Sequence, residues 1–198
     1  DVGALLAPLE RLEVLSLSNN FIQSLSSWPP LPELTVLNVN FNRITSLEPI
    51  AACTRLSKLY AASNRVGTIA PLGACTELRA LSLFRNRIGS LDGTLDCLTV
   101  LPRLEELDLG ANPCAIGPDY RHRLVGCLPA LERLDGDTLT DLDHELATAY
   151  LNGDDEQMNA HGGADGADEE GGDAASSAPT HRACLSSGQS LPSTGRAS

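Results

Sequence analysis

Asn20, Asn42, Asn64, Asn86 and Asn112 each close the same phrase, L-x-x-L-x-L-x-x-N, at intervals of 22, 22, 22 and 26 residues. The apolar positions are filled by Leu12, Leu15 and Leu17, then Leu34, Leu37 and Val39, then Leu56, Leu59 and Ala61. Leu78, Leu81 and Leu83 follow, and after them Leu104, Leu107 and Leu109. Alternation within each phrase predicts a short strand with one apolar and one open face. A single copy cannot bury its own leucines, but stacked copies can, at roughly 1.5–3 kcal/mol per buried leucine. The repeat therefore predicts a solenoid whose strands form one parallel sheet.

Each asparagine falls where the chain leaves its strand. Its amide can bond the backbone of its own and neighbouring turns, so Asn20, Asn42, Asn64, Asn86 and Asn112 are expected to form a structural ladder. Loss of one such side chain would strand buried polar backbone at about 1–3 kcal/mol. After the asparagines the apolar spacing relaxes to about three, as in Ile44, Leu47, Ile50 and Cys53. That spacing suits a turn or two of helix on the convex side. Cys53 and Cys75 stand where Leu31 and Leu101 stand in other repeats, which predicts small buried hydrophobes. Between the first two repeats, Ser26-Ser27-Trp28-Pro29-Pro30 predicts an irregular connection with Trp28 packed against the edge.

The 22-residue period with Asn-Arg-Ile resembles the intracellular leucine-rich-repeat family typified by the regulatory subunit of protein phosphatase 1. A second resemblance lies in Asn112-Pro113, Tyr120-Arg121 and Leu128-Pro129-Ala130-Leu131-Glu132-Arg133-Leu134-Asp135-Gly136. This run is similar to the C-terminal cap of that subunit, of the outer-arm dynein leucine-rich light chain, of dynein-assembly factors and of the spliceosomal A-prime protein. The resemblance implies an α/β leucine-rich-repeat solenoid, with a curved parallel sheet on the concave side and short helices and turns on the convex side. A helical cap would follow, with a helix at Tyr120–Cys127, a rung at Leu131 and Leu134, and a helix from Thr140 to about Leu151. Residues 1–151 are expected to form this domain with about five repeats. Leu6 and Leu9 look like the convex half of an earlier repeat, so the solenoid is expected to be incomplete at its N-terminus. Residues 152–198, rich in Gly, Ala, Ser and acidic side chains, are expected to be a disordered tail.

The formal charge is -12, half of it on residues 152–198, and no basic run offsets it, which disfavours direct binding of nucleic acid. No apolar run approaches the ~20 residues of a membrane span. The six cysteines form no close pair and there is no Asn-X-Ser/Thr sequon, which favours a reducing compartment. No phosphate loop, nucleophile elbow or metal-ligand pair appears, so no catalytic residue, metal or cofactor is expected. His122 and His144 are expected to be exposed helix residues. Leu191-Pro-Ser-Thr-Gly195 matches a bacterial sorting signal but lacks the apolar span and basic end that signal needs, and is taken as coincidence.

What remains is a binding face. Outward positions of successive strands carry Val36 and Asn38, Lys58 and Tyr60, Ala80, Ser82 and Phe84, then Glu106 and Asp108. Tyr60 and Phe84 are aromatics where the fold needs none, flanked by charge, as in an interface hot spot. We expect Val36, Asn38, Lys58, Tyr60, Ser82, Phe84, Glu106 and Asp108 to contact a protein partner. Arg43, Arg65 and Arg87 recur at the 22-residue period; they either lay their stems across apolar surface or bind an acidic partner. The expected function is a non-catalytic protein-interaction scaffold. The resemblance points to a cytoplasmic, ciliary or axonemal setting, with a dynein or axonemal protein as partner. Alternatives are a regulatory subunit bound to a phosphatase catalytic subunit and a spliceosomal or nuclear component, the nucleus being the less favoured location.

Overall fold

A computed structural model of the chain describes Leu6, Leu9 and residues 11–153. The expected tail, His161, His181, Cys184 and the sorting-signal match lie outside the described residues, apart from Asn152 and Gly153.

Each phrase folds into a three-residue strand: β1 (Val14–Ser16), β2 (Val36–Asn38), β3 (Lys58–Tyr60), β4 (Ala80–Ser82) and β5 (Glu106–Asp108). They pair in parallel in chain order, with Leu15, Leu37, Leu59, Leu81 and Leu107 in one register line. Leu37 and Leu59 are fully buried, as are the neighbouring repeat leucines. In the first repeat Leu12, Leu15 and Leu17 are only partly covered, because β1 forms the edge of the described sheet. Leu6 is buried in the same core, whereas Leu9 is exposed.

The convex connections differ with their length. In the 22-residue repeats, 3-10 turns form at Glu48–Ala52 and Ala70–Ala74, each opened by a proline near its start. A 3-10 turn suits these short spans, and the proline loses nothing in a first turn where its N–H would be unpaired. The 26-residue interval has room for a true helix, α1 (Leu91–Leu98), whose first turn is capped by Ser90 Oγ accepting from Gly93 N–H. Between β1 and β2, where Pro29 and Pro30 stand, no helix forms, and Trp28 packs against the core. Cys53 and Cys75, at the ends of the two 3-10 turns, are buried, and burial pushes the Cys75 thiol up to about 11.

After β5 come α2 (Tyr120–Cys127), β6 (Arg133–Leu134), β7 (Asp137–Thr138) and α3 (Asp141–Asn152). Tyr120, Leu124, Val125, Leu128, Leu131, Leu134 and Ala147 join the solenoid core. β6 pairs with β5 in parallel, but β7 turns back on β6 antiparallel. The parallel sheet of the solenoid thus ends in one antiparallel strand. Asp135 and Gly136 both have positive φ, at 53° and 92°, which makes the two-residue turn that a hairpin needs. Thr140 and Asp143 cap α3 reciprocally: Asp143 N–H donates to Thr140 Oγ1, and Thr140 N–H donates to Asp143 Oδ2 at 2.8 Å. No helix among the described residues is long and apolar enough to cross a membrane.

Candidate partner-binding face

The asparagines set the spacing of the strands and hence of everything on the open face. Asn64 accepts from Ile44 N–H at 3.0 Å and donates to Val39 O at 2.9 Å, both in the preceding repeat, and to Ala61 O in its own. Asn42, Asn86 and Asn112 repeat this arrangement and are buried. Asn20 differs: it is exposed, and among the described residues it bonds Leu17 O and Ser18 O of its own turn. The residue before each asparagine, Asn19, Phe41, Ser63, Arg85 and Ala111, has φ of 55–59°. This left-handed residue turns the chain off the strand, and the asparagine bonds hold it there.

Four of the expected contact residues converge. Tyr60, Ser82, Glu106 and Asp108 line one cavity of about 220 Å³, together with Ala80, Arg133 and Gly136. Val36, Asn38 and Lys58 lie on the adjoining strands, with Asn38 opposite Tyr60 and Val36 opposite Lys58, and do not line it. Phe84 stands outside the cavity at the end of β4, 43% exposed. Its ring leans over Gly110, where an added Cβ would meet Phe84 Cδ2 at 3.2 Å and Asp108 Oδ1 at 3.4 Å. Glycine there leaves the space the ring occupies. Ala80, expected to point outward into solvent, is buried: it sits in register between Lys58 and Glu106, whose longer side chains overtop its methyl.

The cavity is acidic on one wall. Ser82 Oγ–H donates to Asp108 Oδ2 at 3.3 Å, and Gly110 N–H donates to Asp108 Oδ1 at 3.2 Å. Burial holds the Asp108 carboxyl above the usual carboxylate range; the nearby Asp135 adds to this and the two hydrogen bonds oppose it. Asp135 itself accepts from Leu109 N–H, Gly110 N–H and Tyr120 Oη–H, fixing the end of β5 to α2. Arg133 pairs with Glu106, leaving Asp108 without a cationic partner among the described residues. Arg133 and Gly136 were not among the expected contacts. Their signal was the Leu131/Leu134 rung, which puts Arg133 opposite Glu106 once the sheet is extended by a strand.

His122, expected to be exposed, is half-buried and stacks on Tyr150 with ring centroids 5.6 Å apart. His144 is half-buried too, since both helices face each other across the same contact. Among the described residues no three His, Cys, Asp or Glu side chains gather as metal ligands.

The family described as "Leucine Rich repeats (2 copies)" matches residues 10–52. No curated protein matches the chain. Among solved structures the chain is similar to an internalin (inlF) from Listeria monocytogenes, with 27% identity and a TM-score of 0.59. That likeness covers 68% of this chain and 37% of that one. It is similar to a leucine-rich-repeat protein of Leptospira interrogans, with 30% identity and a TM-score of 0.53 over 65% of this chain and 32% of that one. The Drosophila melanogaster SNF/U2A' complex is matched with 25% identity, a TM-score of 0.49, and coverage of 73% of this chain and 71% of that one. The chain thus spans little more than a third of the internalin. Five in-register phrases, a parallel sheet stacked on them and an asparagine ladder between their turns give this chain the leucine-rich-repeat fold, with residues 10–52 matching the family's repeats.

Proposed function

We propose that this chain is a non-catalytic scaffold that binds a protein partner on the open face of its sheet, with the Tyr60–Asp108 cavity as anchor. The cavity carries the reading. At about 220 Å³ it is smaller than the roughly 300–1,000 Å³ of small-molecule sites, and suits one protruding side chain. A partner lysine or arginine fits its chemistry: the Tyr60 ring offers a cation–π face, and Asp108 is a half-buried carboxylate with a second carboxylate nearby. Phe84 beside it and Val36, Asn38 and Lys58 along the sheet extend the contact to the width of a docked helix or loop. The match of residues 10–52 to leucine-rich repeats supports an interaction role rather than an enzymatic one.

Within this reading, the resemblance of the 22-residue repeats and the Asn112–Gly136 run to dynein-associated leucine-rich-repeat proteins supports a cytoplasmic, ciliary or axonemal assembly with a dynein-associated partner. The test is affinity purification of the full chain from its native cell with quantitative mass spectrometry, beside the double variant Tyr60→Ala/Phe84→Ala. Dynein or axonemal proteins lost in the variant, with circular dichroism unchanged, are the expected result. Recovery of a phosphatase catalytic subunit or splicing proteins overturns the ciliary setting. A partner retained undiminished by the variant overturns the binding face itself.

A further inference from the structure

A second surface lies along the turns that follow the strands. Residues 18–24, 40–46, 62–68 and 84–90 of the first four repeats contain no acidic side chain, in a chain with 26 of them. They do contain four of its 14 basic residues, Arg43, Arg65, Arg85 and Arg87, all exposed. The turns are stacked by backbone bonds: Arg43 N–H donates to Ile22 O, Arg65 N–H to Ile44 O and Arg87 N–H to Val66 O, each at 2.9 Å. Arg43, Arg65 and Arg87 therefore stand in one line at the strand spacing, about 5 Å per rung, with Arg85 beside the last of them.

The rest of the molecule supplies a comparison. Arg55, Arg79 and Arg103 each reach a glutamate on an adjacent repeat, respectively Glu33, Glu105 and Glu77. None of the four arginines on the turn edge has a carboxylate partner among the described residues. Arg43 instead lies over the Phe21 ring, 4.9 Å from its centroid. Phe21 is 78% exposed, and Phe41, in the turn of the next repeat, is 56% exposed. An unpaired positive line beside two open aromatic rings has a complement in an acidic segment carrying apolar side chains.

We infer that this turn edge is a docking site for an extended acidic segment of a partner protein, its carboxylates on Arg43, Arg65, Arg85 and Arg87 and its apolar side chains on Phe21 and Phe41. An extended chain rises about 3.3 Å per residue, so about three to four residues span the roughly 10 Å between the first and last of the three aligned arginines. The site is separate from the cavity, and its occupant has the opposite charge. Phosphate backbones are the poorer fit, because the chain as a whole is -12 and repels a polyanion beyond the strip.

The test uses the full chain and a labelled peptide of four Asp-Glu-Leu units, read by fluorescence anisotropy in low salt. Its uncharged counterpart, four Asn-Gln-Leu units, and an oligothymidylate of similar charge serve as competing probes. The acidic peptide is expected to bind more tightly than both. Arg65→Glu with Arg87→Glu is expected to weaken it by about tenfold or more, since each reversal exchanges an attraction for a repulsion. Phe21→Ser with Phe41→Ser is expected to weaken it too, while Tyr60→Ala, in the cavity, leaves it unchanged. These exposed positions touch no core, and circular dichroism checks that the variants fold. Equal binding by wild type and the arginine variant overturns the proposal, as does equal binding of the two peptides or preference for the oligonucleotide. If Tyr60→Ala alone abolishes binding, the peptide sits in the cavity and this edge is not the site. Light scattering detects the remaining occupant, a second copy of the chain, and concentration-dependent dimers lost in the arginine variant also overturn the proposal.

Discussion

The amide of Asn64 is wedged between two turns, satisfying Ile44 N–H, Val39 O and Ala61 O at once, whereas among the described residues that of Asn20 bonds its own exposed turn. Alanine at Asn64 leaves Ile44 N–H unpaired and takes one of two amide donors from Val39 O and Ala61 O, and is expected to cost about 2 kcal/mol, while alanine at Asn20 costs under about 1 kcal/mol. Urea unfolding of the two variants checks this; equal costs would mean that the ladder stabilises each turn locally and not the stacking between turns. The role of the asparagine was legible in sequence because the 22-residue spacing puts an amide at the one place where a strand must end. The difference between the two asparagines was not, since it depends on which rung is stacked against which. Ala80 is a similar case: its outward position follows from alternation, but its burial follows from the lengths of Lys58 and Glu106 on either side. Arg133 was missed because the step from Leu107 to its register partner Leu134 is 27 residues and no asparagine marks it.

Elements in this chain are set by polar residues as much as by leucines. Ser24, Ser46, Thr68 and Ser90 each accept, through the side-chain oxygen, a backbone N–H two or three residues on and so start the convex connection. They recur every 22 residues, and attention to apolar spacing alone passes over them. The start of α3 was more legible, because Thr140 followed by Asp143 is a capping pattern on its face. Arg121 Nε donates to Asp143 at 2.9 Å and ties this cap to α2. That bond, with those from Thr140, holds the Asp143 carboxyl well below the usual carboxylate range. A carboxyl depressed on folding contributes stability above its unfolded value of about 4, and loses it as pH falls toward the folded one. The thermal midpoint of the wild type is therefore expected to drop more between pH 7 and about pH 2.5 than that of Asp143→Asn, which starts lower at pH 7. Melts followed by circular dichroism at both pH values decide it; equal drops would assign the acid sensitivity to other carboxylates.

At the scale of the molecule, the core is a line of rungs in which each repeat touches only its neighbours, so stability should be read as repeats plus interfaces. Leu59 has a stacked leucine on each side, Leu37 and Leu81, and is fully buried. Leu15 pairs only with Leu37 among the described strands and is half covered. Leu59→Ala opens a cavity at two interfaces and is expected to cost about 3 kcal/mol, against about 1 kcal/mol for Leu15→Ala. The spatial signature separates this from a simple effect of burial. Amide exchange in Leu59→Ala should accelerate at Val39, Ala61 and Leu83, whose N–H groups bridge successive strands on both sides of the substitution. In Leu15→Ala it should accelerate at Leu17 and Asn19 and leave Leu83 alone. Both binding surfaces depend on this outcome, because the cavity needs β3, β4 and β5 in register and the arginine line needs the first four turns. Acceleration of every amide alike by either substitution would mean that the rungs open as one unit, and that neither surface can loosen without the other.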